Sequence, residues 1–298
     1  MKLYTVGGYL ATLRSKALMY NNPYNPLDLP PGTIRVRTSD GKRPSKYSYT
    51  TYETATLVPG TTDVYDVYKS GTSMYRVLYS SQNVVEVIGA NTSNITDMSE
   101  MFYSCGYLAS LPLFDTSSVT NMASMFQYCS HLASVPLFDT SNVTNMINMF
   151  YSCTSLTTVP LFDTSNVTTM GGMFEVCTSL TSVPLFDTSN VSNISWMFYK
   201  CTSLTSVPLF DTSSVTNMDS MFYGCSYLTS VPLFDTSSVT IMSNMFYNCW
   251  NVQSGALALY QQASTKTTLP SHNRTFYNCG TYTTTGAAEL AQIPSDWK

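Results

Sequence analysis

The feature that most constrains this chain is a tandem repeat of 24 residues. The sequence Leu-Phe-Asp-Thr-Ser recurs without insertion, with its aspartate at Asp115, Asp139, Asp163, Asp187, Asp211 and Asp235. An earlier copy starts at Asn91, which gives seven copies between residues 91 and 258, and unit position 1 denotes the Asp (or Asn91) of each copy. A fixed period of this length predicts a solenoid, in which each unit packs mainly against its neighbours.

The apolar residues within one unit predict the path of the chain. They fall at unit positions 5, 8, 11, 12, 15 and 18, and across Met-Phe-x-x-Cys this spacing is close to helical. The stretch Leu-x-x-Val-Pro-Leu-Phe predicts a short strand with proline at its edge. Asp-Thr-Ser predicts a turn, because Asp and Ser side chains bond nearby backbone amides. The predicted fold class is therefore an α/β repeat solenoid.

The repeat also resembles a known family. The motif Val-Thr-x-Met-x-x-Met-Phe-x-x-Cys-x-x-Leu-x-x-Val-Pro, seen over residues 71–279, resembles the BspA-type leucine-rich repeat of bacterial surface proteins. Such repeats occur in gut and oral bacteria, in mycoplasmas and in some of their phages. The resemblance implies a right-handed, leucine-rich-repeat-like solenoid with a role in adhesion or recognition. It implies no shared catalytic residues.

Sequence changes along the chain predict four parts. Residues 1–70 form a small β-rich head, 71–90 a degenerate capping repeat, 91–258 the seven repeats, and 259–298 a C-terminal cap. The atypical first and last units are expected to cover the ends of the solenoid core. A short helix is predicted at residues 255–262, and residues 275–279 repeat the motif once more.

The head predicts several local elements. Four prolines mark an extended linker, at Pro23, Pro26, Pro30 and Pro31. Residues 32–37 alternate as a strand and are followed by a predicted tight hairpin turn at residues 39–42. A second strand pair is predicted at residues 55–58 and 63–68, joined through Pro59-Gly60. Residues 8–20 are either a short docking helix or a frayed terminus.

Charge and hydropathy exclude several classes of partner. Residues 91–249 carry a single base, Lys200, against ten acids, which does not suit nucleic-acid binding. Residues 1–76 carry ten bases against five acids but contain no dense basic run. No stretch approaches the roughly 18 apolar residues of a membrane span. The N-terminal residues lack an uninterrupted apolar run before Arg14, so no signal peptide is predicted.

Two repeated columns invite a chemical interpretation. Seven of the eight cysteines occupy unit position 15, where parallel stacking favours buried free thiols over a disulfide ladder. The aspartates at unit position 1 admit a calcium ladder, but one carboxylate per turn falls short of the 6–8 oxygen ligands of calcium. Turn capping is therefore the favoured interpretation. No metal or other cofactor is predicted.

Catalytic motifs are missing from the sequence, including phosphate-binding loops, nucleophile elbows and a histidine near the repeated cysteine. We therefore predict that the protein is not an enzyme. Residues at unit positions 9–10, 13–14 and 16–17 differ between copies and include exposed aromatics, which are either a recognition strip for protein or glycan or unselected loop positions. The candidate binding residues are Tyr128, His131, Trp196, Lys200, Tyr223, Tyr227, Tyr247 and Trp250.

The sequence therefore predicts a non-enzymatic attachment module that recognises a host or cell-surface protein or glycan. It is expected outside the cell, on a bacterial surface or a virion. The alternative is a structural virion or tail-fibre component, in which the repeats act as a rigid spacer. In that case residues 1–70 dock to a virion partner or to another copy.

Overall fold

The computed structural model describes residues 29–298. The predicted helix at residues 8–20 and two of the linker prolines, Pro23 and Pro26, lie outside this part of the chain. The described chain begins with a small sheet and continues into stacked 24-residue units. Two short helices close its C-terminal end.

Four strands form the N-terminal antiparallel sheet, in the order β2-β3-β1-β4. Their bounds are β1 Thr33–Thr38, β2 Thr54–Leu57, β3 Val64–Tyr68 and β4 Val84–Asn91. The alternation predicted for the first strand is confirmed, because Ile34 and Val36 are fully buried while Arg35 and Arg37, which follow them, are half-buried. Arg35 pairs with Asp66 on β3 at 2.6 Å, which ties the two strands together across the polar face.

The predicted strand pair through Pro59-Gly60 is confirmed, because β2 pairs antiparallel with β3. The predicted hairpin at residues 39–42 is wrong. A turn forms there, but β1 pairs with β3 and β4 and not with the strand that follows it. The chain after the turn is held elsewhere, since the Asn83 side-chain amide donates to the carbonyls of Lys42 and Arg43 at 3.2 and 3.0 Å. Pro44 then offers no N–H for pairing.

Successive repeats stack with a hydrogen-bond register of 24 residues. Parallel bridges connect unit position 7 of each repeat to the next, for example Asn121 to Asn145 and Asn145 to Thr169. Between these bridges, every second amide donates to the following repeat, as Phe126 N does to Met149 O at 2.9 Å. The intervening amides close turns within their own repeat. The repeat fold is therefore confirmed, and residues 91–258 are called the repeat array below.

The predicted helix and strand within each unit are wrong, so the array is not α/β in its local structure. The Met-Phe-x-x-Cys section is a chain of turns, each closed by a bond between residues three apart, such as Cys129 N to Phe126 O at 3.0 Å. A positive φ at unit positions 10 and 14 prevents a helix from continuing. The Val-Pro-Leu-Phe stretch forms no strand in any unit, because proline removes one of the amides a ladder needs.

One hydrophobic core runs from the sheet through the array to the C-terminus. Phenylalanine rings stack along it, with Phe126 and Phe150 centroids 5.6 Å apart and nearly parallel. The C-terminal end is closed by α1 (Ala256–Ser264), which confirms the predicted helix, and by α2 (Thr284–Gln292). Trp297 is buried there and accepts a bond from Phe276 N, the last core phenylalanine.

The strand β4 crosses the predicted boundary at residue 90, so the degenerate repeat and the first residue of the array share a strand, which also belongs to the sheet of β1, β2 and β3. The degenerate repeat before it already follows the register, because Ser73 bridges Asp97 and Met74 N donates to Asp97 O at 2.8 Å. Within residues 29–298, no helix is long and apolar enough to cross a membrane.

Candidate functional site

The cysteine column is structural. All eight cysteines are free and buried, which confirms the favoured interpretation. Each of the seven repeated thiols also donates to a backbone carbonyl of the preceding unit, as Cys153 Sγ does to Phe126 O at 3.0 Å. Burial raises the pKa of Cys105 to about 12 and raises those of the other cysteines as well. These side chains are thiols, not reactive thiolates, at neutral pH.

The aspartate column is confirmed as a row of turn caps. Asp139 Oδ1 accepts from Ser141 N at 3.1 Å and from Ser141 Oγ at 2.6 Å, and the same pair recurs in neighbouring units. The bonds from Ser189 hold the pKa of Asp187 below its ordinary value. Among residues 29–298, no three His, Cys, Asp or Glu side chains are placed to hold a metal ion.

The candidate binding residues divide into two rows on either side of the buried cysteine column. Tyr128, Trp196, Lys200, Tyr223 and Tyr247 lie at unit positions 10, 13 and 14, and His131, Tyr227 and Trp250 at positions 16 and 17. Tyr128, His131, Trp196, Lys200 and Tyr227 are exposed, whereas Tyr223, Tyr247 and Trp250 are half-buried. Trp250 stacks on Tyr282 of the C-terminal end at 5.5 Å.

The first row is built on a column of tyrosines at unit position 13, of which only Tyr223 and Tyr247 were among the predicted binding residues. Tyr199, Tyr223 and Tyr247 stack in sequence with centroids 4.8 and 4.5 Å apart. Earlier in the array, Tyr128 fits edge-on between Tyr103 and Tyr151, at 5.4 and 5.1 Å. The recurrence of tyrosine every 24 residues was a visible signal for this column.

The tyrosine column is interrupted in the middle of the array by Glu175. Burial raises the pKa of this carboxyl to about 7 from an ordinary 4.5, and the charge of Lys200 opposes the shift. Burial also raises the pKa of the neighbouring Tyr151 to about 12. Lys200 itself lies over the Tyr199 ring, with Nζ 5.2 Å from the centroid. Glu175 is therefore close to half-protonated near neutral pH.

Residues that no other unit has at the same variable position surround Glu175 in its own unit and in the next. Gly171 and Gly172 stand in its own unit, and the Asn148 side chain occupies the space that a Cβ on Gly172 would need. The next unit supplies Trp196, which is 47% exposed. Its backbone has a positive φ of 55°. The array therefore has one unusual region, defined as residues 171–176 together with Trp196 and Lys200, and called the central patch below.

The side chains of the central patch offer hydrogen bonding and stacking. The indole of Trp196 is a flat apolar surface, Lys200 is a cation, and Glu175 is a donor when protonated and an acceptor when ionised. Such a set can bind a polar ligand that also has an apolar face, such as a sugar or a peptide side chain.

Comparison with solved structures yields repeat proteins. The chain is similar to the T. pallidum leucine-rich repeat protein at 24% identity, with a TM-score of 0.42, over 52% of this chain and 70% of that one. The chain is also similar to a leucine-rich repeat protein of Eubacterium ventriosum, at 22% identity with a TM-score of 0.40, over 57% of this chain and 50% of that one. A third similar structure is a leucine-rich cell surface protein of Faecalibacterium prausnitzii, at 17% identity with a TM-score of 0.24, over 65% of this chain and 79% of that one. No curated protein matches the sequence.

A family model gives the identification. The family described as "Mycoplasma protein of unknown function, DUF285" matches residues 72–183, 131–225 and 178–282, which together span most of the chain. DUF285 is a repeat family of BspA-like proteins, so the resemblance found in the sequence is confirmed. The chain belongs to the DUF285 family.

Proposed function

We propose that the protein is a non-enzymatic attachment module that binds a protein or a glycan through the central patch. In this proposal it is displayed on a bacterial surface or a virion. Membership of a repeat family whose BspA-like members are surface proteins supports an interaction role. The patch lies in the middle of the array, where a partner would contact several stacked units at once.

The conformation and exposure of Trp196 carry the proposal. Unit position 10 has a positive φ in every unit of the array, and other units place Ser124, Asn148, Gly172 or Asn244 there. A bulky residue in this conformation is destabilising by roughly 1–2 kcal/mol relative to glycine. Burial offsets only part of this cost for Trp196, since nearly half of it is exposed. Binding is a reason to keep a costly aromatic at the surface.

The test is the substitution Trp196→Asn, which keeps a residue that tolerates positive φ and removes the aromatic surface. We expect the wild-type protein to bind at least one member of a panel of glycans and matrix proteins. The variant should bind that ligand at least about tenfold more weakly, a loss of about 1.4 kcal/mol. Its thermal unfolding should be unchanged or slightly improved.

The matched control is Tyr47→Ser, which removes an exposed aromatic outside the array, 51% exposed in the wild type. This variant should bind as the wild type does. The proposal fails if the wild type binds none of the glycans and matrix proteins tested, or if Trp196→Asn binds with unchanged affinity.

A second function, that of a rigid spacer, is favoured by the continuous core and the unbroken hydrogen-bond register of the array. In that case the protein is a virion or tail-fibre component, and residues 1–70 dock to the partner. Genes for tail or capsid proteins next to this one, together with an absence of ligand binding, would favour the spacer over the attachment module.

A further inference from the structure

A column of exposed leucines runs along the array on a surface that the central patch does not use. These leucines occupy unit position 23, and each is between 54 and 61% exposed. They are called the leucine ladder, which consists of Leu137, Leu161, Leu185, Leu209 and Leu233. The corresponding Leu113 of the first unit is half-buried.

The leucine ladder has no role in the packing of its own chain. The residues on either side of it do the packing: in one unit Val159 and Phe162 are buried while Leu161 between them is not. Other exposed positions either vary, as Tyr107, His131 and Tyr227 show at unit position 17, or repeat a polar side chain that is hydrogen-bonded within the chain, as the capping aspartates are. An exposed position that stays leucine in every copy therefore calls for a cause outside the folded monomer.

Two polar rows flank the ladder, one on each side. Along the chain direction, the capping aspartates at unit position 1 lie two residues beyond each leucine. On the other side, unit position 20 lies three residues before each leucine and carries a hydroxyl in every unit; the residues that precede four of the ladder leucines are exposed, namely Ser134, Thr158, Ser182 and Ser206. A shallow groove between two rungs shows that the aspartate row lies beside the leucines, since the groove is lined by Leu161, Leu185, Asp163 and Asp187.

We propose that the leucine ladder is the interface of a parallel homodimer, in which two copies pack ladder to ladder with both arrays pointing the same way. A second copy is the partner that matches the ladder best, because only an identical array repeats its rungs at the same spacing. Such a two-fold interface is self-complementary, so a single surface serves both copies.

The charges select the parallel arrangement. In an antiparallel pair, the aspartate row of one copy would face the aspartate row of the other along the whole ladder. In a parallel pair, the two-fold axis runs along the arrays and places each aspartate row against the hydroxyl row of the partner. Serine and threonine hydroxyls are donors to carboxylates, so the parallel pair replaces repulsion with hydrogen bonds.

The available area suits a stable dimer. Five leucines, each more than half exposed, present on the order of 500 Å² of apolar surface, which is near the upper end for a patch on an ordinary monomer. The prolines and the two polar rows widen the strip towards the roughly 800 Å² per partner of a standard interface.

The first test is the oligomeric state of the full chain by analytical ultracentrifugation. We expect the wild type to be a dimer at micromolar concentration. The triple variant Leu161→Ser, Leu185→Ser, Leu209→Ser should weaken dimerisation by at least about 100-fold. Its circular dichroism should match the wild type, because the three side chains are exposed. The control variant Leu57→Ser, Leu269→Ser removes two exposed leucines outside the array and should remain a dimer. A monomeric wild type, or a triple variant that dimerises normally, overturns the proposal.

The second test fixes the direction of the pair and uses the burial of all eight native thiols. A cysteine introduced on the ladder is then the only accessible thiol. Leu137→Cys, at the first rung, should form a disulfide with the same residue of the partner under mild oxidation. Leu233→Cys, at the last rung, should do the same. A mixture of the two variants should yield few mixed disulfides. Predominantly mixed disulfides would show an antiparallel pair and overturn the parallel arrangement. Leu269→Cys, outside the ladder, should stay monomeric on a non-reducing gel.

Discussion

At the scale of single residues, the array depends on two backbone positions that most amino acids avoid. Unit positions 10 and 14 have φ values between about 50 and 70°, and each is the third residue of a four-residue turn. A positive φ at that place defines a type II turn, which favours glycine or asparagine. Asn148, Asn244 and Asn248 fit this requirement, whereas Val176 has a β-branched side chain at a φ of 59°.

Val176→Asn should therefore stabilise the protein. We expect the free energy of unfolding to rise by about 1 kcal/mol, since asparagine tolerates the left-handed conformation and valine does not. Urea denaturation measures the change. The reverse substitution one unit earlier, Ser152→Val, should lower stability by a similar amount, because Ser152 also has a φ of 59°. Equal stability of all three proteins would show that these turns are not strained.

Glu175 should make stability depend on pH. Its pKa in the folded protein is raised to about 7 from 4.5, so the folded state favours the protonated carboxyl. The contribution to stability is then fully present below about pH 4.5 and is lost as the pH rises through 7. We expect a loss on the order of 2 kcal/mol between pH 5 and pH 8, allowing for partial solvent screening.

The control for this titration is Glu175→Gln, because Gln127 occupies the same unit position in the second repeat of the array. Guanidinium denaturation of the variant should show a flatter pH dependence between pH 5 and pH 8. If wild type and variant respond to pH in parallel, Glu175 is not the group responsible.

At the scale of the 24-residue unit, the core was predictable and the local conformation was not. The apolar columns at unit positions 5, 8, 11, 12, 15 and 18 recur in the sequence, and the structure buries all of them. Apolar residues three apart were interpreted as helical, but consecutive four-residue turns give the same spacing. The turns prevail because alternate amides bond to the next unit, which a helix would not allow. Proline and the exposed leucine similarly prevent the predicted strand.

Deleting one complete unit should preserve the fold. Removal of residues 139–162 joins Phe138 to Asp163, which restores the consensus sequence and lets the neighbouring units stack in the same register. Because each unit contacts mainly its neighbours, the protein should remain folded with somewhat lower stability. Thermal unfolding followed by circular dichroism measures this. Deleting residues 139–150 instead removes half a unit, so the following units are out of register with the preceding ones. That protein should be unfolded or aggregated. A folded half-unit deletion would contradict the stacking described above.

At the scale of the whole molecule, the sequence located the array and its C-terminal helix but not the sheet topology or the surface. The sheet order depends on β4, which pairs with β1 across about fifty residues of sequence, and local patterns do not encode such pairing. The variable positions directed attention to Trp196 and Lys200. They also included Glu175, but neither its raised pKa nor the leucine ladder was predicted, because charge and exposure depend on which side chains the fold brings together.

The stacking of units also determines how the molecule responds to tension. Its bonds between neighbouring units run along the array, so a pull on the two ends loads all junctions in series and the weakest junction yields first. Each detached unit would release 24 residues, or about 80 Å of extended chain, and relax the tension on the remaining junctions. A solenoid of this kind lengthens in steps under load, and each step absorbs work.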